Sequence, residues 1–130
     1  MKIEHLAIWV EDLEIMKSFY EKYFNGQAGE KYINHKKHFS SYFLHFEEHG
    51  ARLELMHRPD IDEPAAKRGF AKGMAHMAVL VDSRDAVDKI TERLRSDSYN
   101  IASEARLTGD GYYESAILDP EGNYIEICSK

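Results

Sequence analysis

Four residues in this chain carry the types and spacing that chemistry needs: His5, Glu54, His76 and Glu126. The runs His5-Leu6-Ala7-Ile8-Trp9-Val10-Glu11-Asp12 and His76-Met77-Ala78-Val79-Leu80-Val81-Asp82-Ser83 resemble each other at an offset of 71 residues. Each glutamate stands between aliphatic neighbours, in Leu53-Glu54-Leu55 and Ile125-Glu126-Ile127, and follows its histidine by 49 and 50 residues respectively. A carboxylate in such company is costly to desolvate and is seldom buried unless it is paired or bound to a metal. Two carboxylates brought together repel unless a cation lies between them. Two neutral imidazoles and two carboxylates balance a divalent ion. They suit Ni, Zn, Co, Mn or Fe, and leave positions for water or substrate oxygens. A single strand histidine or glutamate is ordinarily a solvated polar residue. The matched placement of all four argues for ligands.

The elements that must position these residues also repeat. After His5 and its strand, Leu13, Met16, Tyr20 and Tyr23 form an apolar stripe at helical spacing to about Phe24, with Asp12 as N-cap. After His76, Val87, Ile90 and Leu94 form a second stripe from about Arg84 to Arg95, with Ser83 as N-cap. Three strands are expected after each helix. They lie near residues 30–34, 39–46 and 51–57, then near 101–107, 113–118 and 124–128. Asp119-Pro120-Glu121-Gly122-Asn123 supplies a proline and a glycine for the last turn. Pro59, Pro64 and Gly69 punctuate a linker. The reading is therefore α+β, with two βαβββ modules over residues 1–57 and 73–130 joined by a linker at 58–72. Mixed, curled sheets are expected to form a metal-lined cavity.

Strand alternation assigns the faces. Leu6, Ile8 and Val10 are expected under the first helix, with His5, Ala7 and Trp9 on the opposite face. Leu53 and Leu55 face that helix, leaving Glu54 with Arg52 and Met56. Ile125 and Ile127 face the second helix, leaving Glu126 with Tyr124 and Cys128. All four ligands thus project away from the helices. Trp9, Phe43, Met56, Met74 and Tyr124 supply an apolar wall beside them. Cys128, with nothing nearby to lower its thiol pKa, reads as a small core residue. His35, His38, His49 and His57 fall at strand ends or in loops, where solvated histidine is the default, and His45 shares a face with Phe43.

Composition removes whole classes of function. The 130 residues are 43% hydrophobic and 31% charged, with a net charge of −6 and no basic block, so nucleic-acid binding lacks its electrostatic footprint. No apolar run reaches the ~18 residues of a membrane span. The N-terminus enters a strand pattern without a signal peptide, and the one cysteine rules out an intrachain disulfide, so a cytoplasmic setting is expected.

With these residues in view, the chain resembles the vicinal-oxygen-chelate superfamily, which includes glyoxalase I, bleomycin-resistance proteins and extradiol dioxygenases. The resemblance rests on His5 to Leu13, Ser18-Phe19-Tyr20, His76-Met77-Ala78-Val79 and Leu118 to Glu126, and covers nearly the whole chain. The family's metal ligands map onto His5, Glu54, His76 and Glu126, a set similar to bacterial glyoxalase I. The resemblance implies a hemithioacetal substrate, a metal-stabilised enediolate, and Glu126 moving the proton between adjacent carbons. Glu54 would serve on the opposite face or remain a ligand. It also implies a homodimer whose sites join one chain's first module to its partner's second, although the linker also permits a same-chain site. Trp9, Arg52, Phe43, Met56 and Tyr124 fall in the substrate region. Trp9 stands where glyoxalase I carries an arginine for a glutathione carboxylate, and an indole makes no bidentate contact to a carboxylate. Arg52 or Lys72 is available to compensate. Two alternatives share the resemblance: an extradiol-type dioxygenase, which needs two histidines and one carboxylate on Fe(II), and a metal-free drug-binding protein with an acidic groove. An acyl-CoA epimerase is less apt, for want of a phosphate-binding cluster.

Overall fold

A computed structural model describes residues 1–47, 50–64 and 66–130. His49 therefore lies outside the described residues. The described chain forms two compact units, Met1–Pro64 and Ala65–Lys130. Among the described residues, no helix is long and apolar enough to cross a membrane.

The first unit contains β1 (His5–Trp9), α1 (Leu13–Phe24), β2 (Gln27–Ala28), β3 (Tyr32–Asn34), β4 (Phe39–His45) and β5 (Arg52–His57). Its sheet order is β1-β5-β4-β2, with β3 also pairing with β4. The β1–β5 pair is parallel and the others are antiparallel. The second unit contains β6 (Met77–Leu80), α2 (Arg84–Ser96), β7 (Ile101–Leu107), β8 (Tyr113–Leu118) and β9 (Tyr124–Ser129). Its order is β6-β9-β8-β7, again with the first strand parallel to the last. The architecture is α+β with two mixed, unclosed sheets. β2 is an addition to the expected strands, too short to leave a period in the sequence.

Both helices start where the sequence indicates. Asp12 accepts hydrogen bonds from the Glu14 and Ile15 amides, each at 2.9 Å, which satisfies two donors that lack intrahelical partners. The Ser83 hydroxyl accepts from the Ala86 amide at 3.2 Å. Asn25, at φ 55°, ends α1 in the left-handed conformation that asparagine tolerates. α1 buries Leu13, Met16, Phe19, Tyr20, Tyr23 and Phe24 against β5, β4 and β2, where Leu53, Leu55, Tyr42 and Leu44 meet it. α2 buries Val87, Thr91 and Leu94 against β7, β8 and β9. There the Thr91 hydroxyl donates to the Val87 carbonyl and lies 2.7 Å from the Ser115 hydroxyl, so this polar pair is satisfied inside the core.

The expected burial of β1 needs correction. Val10 is 5% exposed, but Leu6 is 36% exposed and Ile8 only half-buried. β1 is the sheet edge, and α1 packs over the inner strands beside it, so the apolar alternation of β1 runs past the helix. β6 is likewise an edge; Leu80, on the face away from α2 with Ala78, is exposed.

Candidate functional site

Parallel pairing brings each histidine to its glutamate. In the first unit Ala7 is registered with Glu54, and Glu54 with Phe43, so the three share the face away from α1. His5, two residues before Ala7, lies on that face, and its Nε2 is 3.8 Å from Glu54 Oε2. Its other ring nitrogen, Nδ1, is 2.5 Å from Glu4 Oε2. A carboxylate on one imidazole nitrogen holds the proton there and leaves the other nitrogen's lone pair available, the arrangement metal-binding histidines use. Glu4 also pairs with Arg52, whose guanidinium lies 4.0 Å over the Phe43 ring. The hydrogen bond from His5, followed by that from Arg52, holds the Glu4 carboxyl below its ordinary pKa. Phe43 meets the His5 ring edge-on at 5.3 Å, fixing the imidazole from the side.

The second unit repeats the histidine–glutamate pair. His76 lies one residue before β6, and Ala78 is registered with Glu126. His76 Nε2 is 3.1 Å from Glu126 Oε2. The turn before β9 sets this position. Asp119 accepts from the Glu121 and Asn123 amides and from the Asn123 side chain, at 3.0, 2.8 and 2.7 Å. Gly122 takes φ 85°, and Arg68 donates to the Glu121 carbonyl. β9 then leaves the turn with Ile125 and Ile127 fully buried and Glu126 on the other face.

Around His76 and Glu126 lies a cavity of about 360 Å³, lined also by Phe70, Arg106, Glu114 and Tyr124. Phe70 and Tyr124 meet edge-to-face at 5.3 Å. Glu114 is the residue the sequence reading passed over. With Ser115 and Ile117 held inward on β8, Glu114 and Ala116 must face outward beside β9, and Ala116 is registered with Glu126. The signal was the ordinary alternation of that strand. Burial raises the Glu114 pKa, and the neighbouring Glu126 charge raises it further, while Arg106 at 3.7 Å opposes the shift. Burial also raises the Cys128 thiol, followed by Glu114 and Glu126, and the side chain is buried, as the small core residue expected.

The donor set fits a divalent metal: each unit supplies one imidazole nitrogen and one carboxylate, side by side. Among the described residues, no three His, Cys, Asp or Glu side chains stand together as a group able to hold an ion. Of the expected substrate residues, Arg52 and Phe43 adjoin His5, and Tyr124 lines the cavity at His76. Met56 is half-buried and registered with Trp9, which lies at the far end of β1. Met74 is 71% exposed and outside the cavity wall where it was expected. It precedes β6 in an irregular segment, so strand alternation does not aim it inward. His45 is exposed, and His57 Nδ1 bonds the Val10 carbonyl at 3.0 Å, a structural contact.

The family described as Glyoxalase/Bleomycin resistance protein/Dioxygenase superfamily matches residues 2–127. No curated protein matches the sequence. Among solved structures, a V278E mutant of glyoxalase I from Zea mays superposes with a TM-score of 0.81 at 22% identity, covering 98% of this chain and 44% of that one. The chain thus spans less than half the length of that relative. A glyoxylase/bleomycin resistance protein/dioxygenase domain from Frankia sp. EAN1pec gives 0.82 at 16% identity, covering 99% and 97%. The trypanothione-dependent glyoxalase I of Leishmania major gives 0.74 at 20% identity, covering 99% and 86%. Likenesses at these identities establish a shared fold.

Proposed function

We propose, from the premise that this chain belongs to the glyoxalase/bleomycin resistance protein/dioxygenase superfamily, that it is a metal-dependent isomerase or lyase of the glyoxalase I kind, acting on a hemithioacetal through an enediolate. The observation that carries this reading is the His–Glu pair recurring at the same place in both units, His5 with Glu54 and His76 with Glu126. These four residues would hold the divalent ion, of the Ni, Zn, Co, Mn or Fe group. When bound, such an ion polarises substrate oxygens and stabilises negative charge developing on them. Glu126 takes the proton from one substrate carbon and returns it to the next. Glu54 does the same on the opposite face or remains a ligand. Ala116 and Tyr124 line the cavity beside Glu126. The proposal includes a homodimer in which the first-unit pair of one chain works with the second-unit pair of its partner.

The test is turnover of the methylglyoxal–glutathione hemithioacetal by stripped protein titrated with Ni, Zn, Mn and Co. Thioester formation restored by metal supports the reading. Stoichiometric metal uptake without turnover moves the activity to another substrate. The absence of both uptake and turnover overturns it in favour of a metal-free binding protein.

A further inference from the structure

The face that carries His5 and Glu54 continues into a second, chemically different place. Across the sheet, Trp9 is registered with Met56, Met56 with Ser41, and Ser41 with Tyr32, while Phe39 is registered with Asn34. Trp9, Tyr32, Asn34, Phe39, Lys37 and Arg58 line a cavity of about 310 Å³. Phe39 stands between the other two rings, 6.2 Å edge-on from Trp9 and 6.0 Å from Tyr32. Trp9 and Tyr32 keep 40% and 54% of their surface exposed, so much of both rings faces solvent. Aromatic surface of this kind receives a flat apolar group.

The charge at this place opposes that of the whole chain. Lys37 and Arg58 also line an adjoining cavity of about 370 Å³ together with Lys36, His38, Pro59 and Asp60. Arg58 is engaged by Asp60 through both carboxylate oxygens, with Nε to Oδ1 at 2.8 Å. That pair is neutral, and Lys36 and Lys37 remain. No ion pair of either lysine occurs among the described residues. A chain of net charge −6 therefore presents the Lys37 ammonium beside three aromatic rings, with Lys36 in the adjoining cavity. Such a site attracts an anion, and only an anion attached to a flat ring uses both features.

We propose that Trp9, Tyr32, Phe39 and Lys37, with the Arg58–Asp60 pair closing one side, form a binding subsite for a planar aromatic group bearing a carboxylate or phosphate. Trp9 and Met56 lie one row along the sheet from Ala7 and Glu54, about 7 Å by strand rise. The subsite stands on the geometry of its own cavity; on the isomerase reading it receives an aromatic, anionic substituent at the non-reacting end of a hemithioacetal, a group that the methylglyoxal–glutathione adduct lacks.

Trp9 is the only tryptophan, so its emission reports occupancy of the subsite directly. The experiment titrates the full-length protein, excited at a wavelength selective for tryptophan, with benzoate and phenylphosphonate. Benzyl alcohol and cyclohexanecarboxylate serve as the neutral planar and anionic non-planar comparisons. All titrations are run with and without chelator. Saturable emission changes are expected for both aromatic anions, with the two comparison compounds weaker by about tenfold. Lys37→Gln should weaken the aromatic anions by about tenfold while leaving benzyl alcohol unchanged, and Lys89→Gln on α2 should leave all four unchanged. Equal binding of anionic and neutral rings, or unaltered benzoate binding in Lys37→Gln, overturns the subsite. Anion-selective binding that persists under chelation, in a protein that neither takes up metal nor turns over the hemithioacetal, upholds the subsite and removes the isomerase.

Discussion

Nε2 of His76 stands 3.1 Å from Oε2 of Glu126, although fifty residues of chain separate them. β6 and β9 bring them together as parallel neighbours, and α2 closes the opposite face of that sheet. The Glu126 side chain is 25% exposed and lies off the helix-packed core, so its loss should act on chemistry more than on folding. Glu126→Gln is expected to retain the circular dichroism spectrum and lower isomerase turnover by a factor of about 100 or more. Calorimetric metal titration should show affinity reduced at least about tenfold. Unchanged uptake and turnover would remove Glu126 from the ligand set.

Glu114 provides a prediction with a defined sign. Burial and the Glu126 charge raise its folded pKa above the ordinary value of 4.5. The folded state therefore binds more protons than the unfolded state between these two pKa values, and stability falls as pH rises through that window. In metal-stripped protein, Glu114→Gln should remove this fall. Chemical denaturation should find the variant stabilised relative to wild type at pH 7, with the difference shrinking as pH drops toward 4. A variant less stable than wild type at pH 7 would show that the Arg106 contact outweighs desolvation.

Gly69 holds a φ of 79°, and a Cβ there would lie 2.8 Å from Tyr124 Cδ2 and 3.3 Å from the Ala75 carbonyl oxygen. Gly69→Ala must therefore both strain the backbone and push the tyrosine ring. The expected loss of stability is about 1–2 kcal/mol. Because Tyr124 lines the cavity beside Glu126, KM should rise while metal affinity stays unchanged. Parallel denaturation, kinetics and metal titration separate the two effects.

The proposed homodimer is tested by mixing chains. His5→Ala and His76→Ala should each be inactive alone. Refolded together in equal amounts, they should regain about a quarter of wild-type activity. Half of the dimers then contain both chain types, and one of the two sites in each such dimer has both histidine-bearing halves intact. Absence of recovery with mixed dimers formed would assign each donor set to a single chain.

Helix limits, the duplicated βαβββ order and the faces of Glu54 and Glu126 were legible in the sequence because they depend on local physics. The stripe from Leu13 to Tyr23, the Asp12 and Ser83 caps, the Asp119–Asn123 turn and the two-residue alternation of Leu53–Leu55 and Ile125–Ile127 act within a few residues. Tertiary structure decided what depends on pairing between distant strands. No local signal announces that β1 lies parallel to β5 at the sheet edge, yet this registers Ala7 with Glu54 and leaves Leu6 exposed. Alternation gives Glu114 its face, but no local signal announces that Glu126 is its neighbour there, or that Trp9 joins Tyr32, Phe39, Lys37 and Arg58. The reason is physical: alternation determines which face a side chain occupies, while strand order and register determine its neighbours there, and these are settled only when the whole sheet packs on its helix.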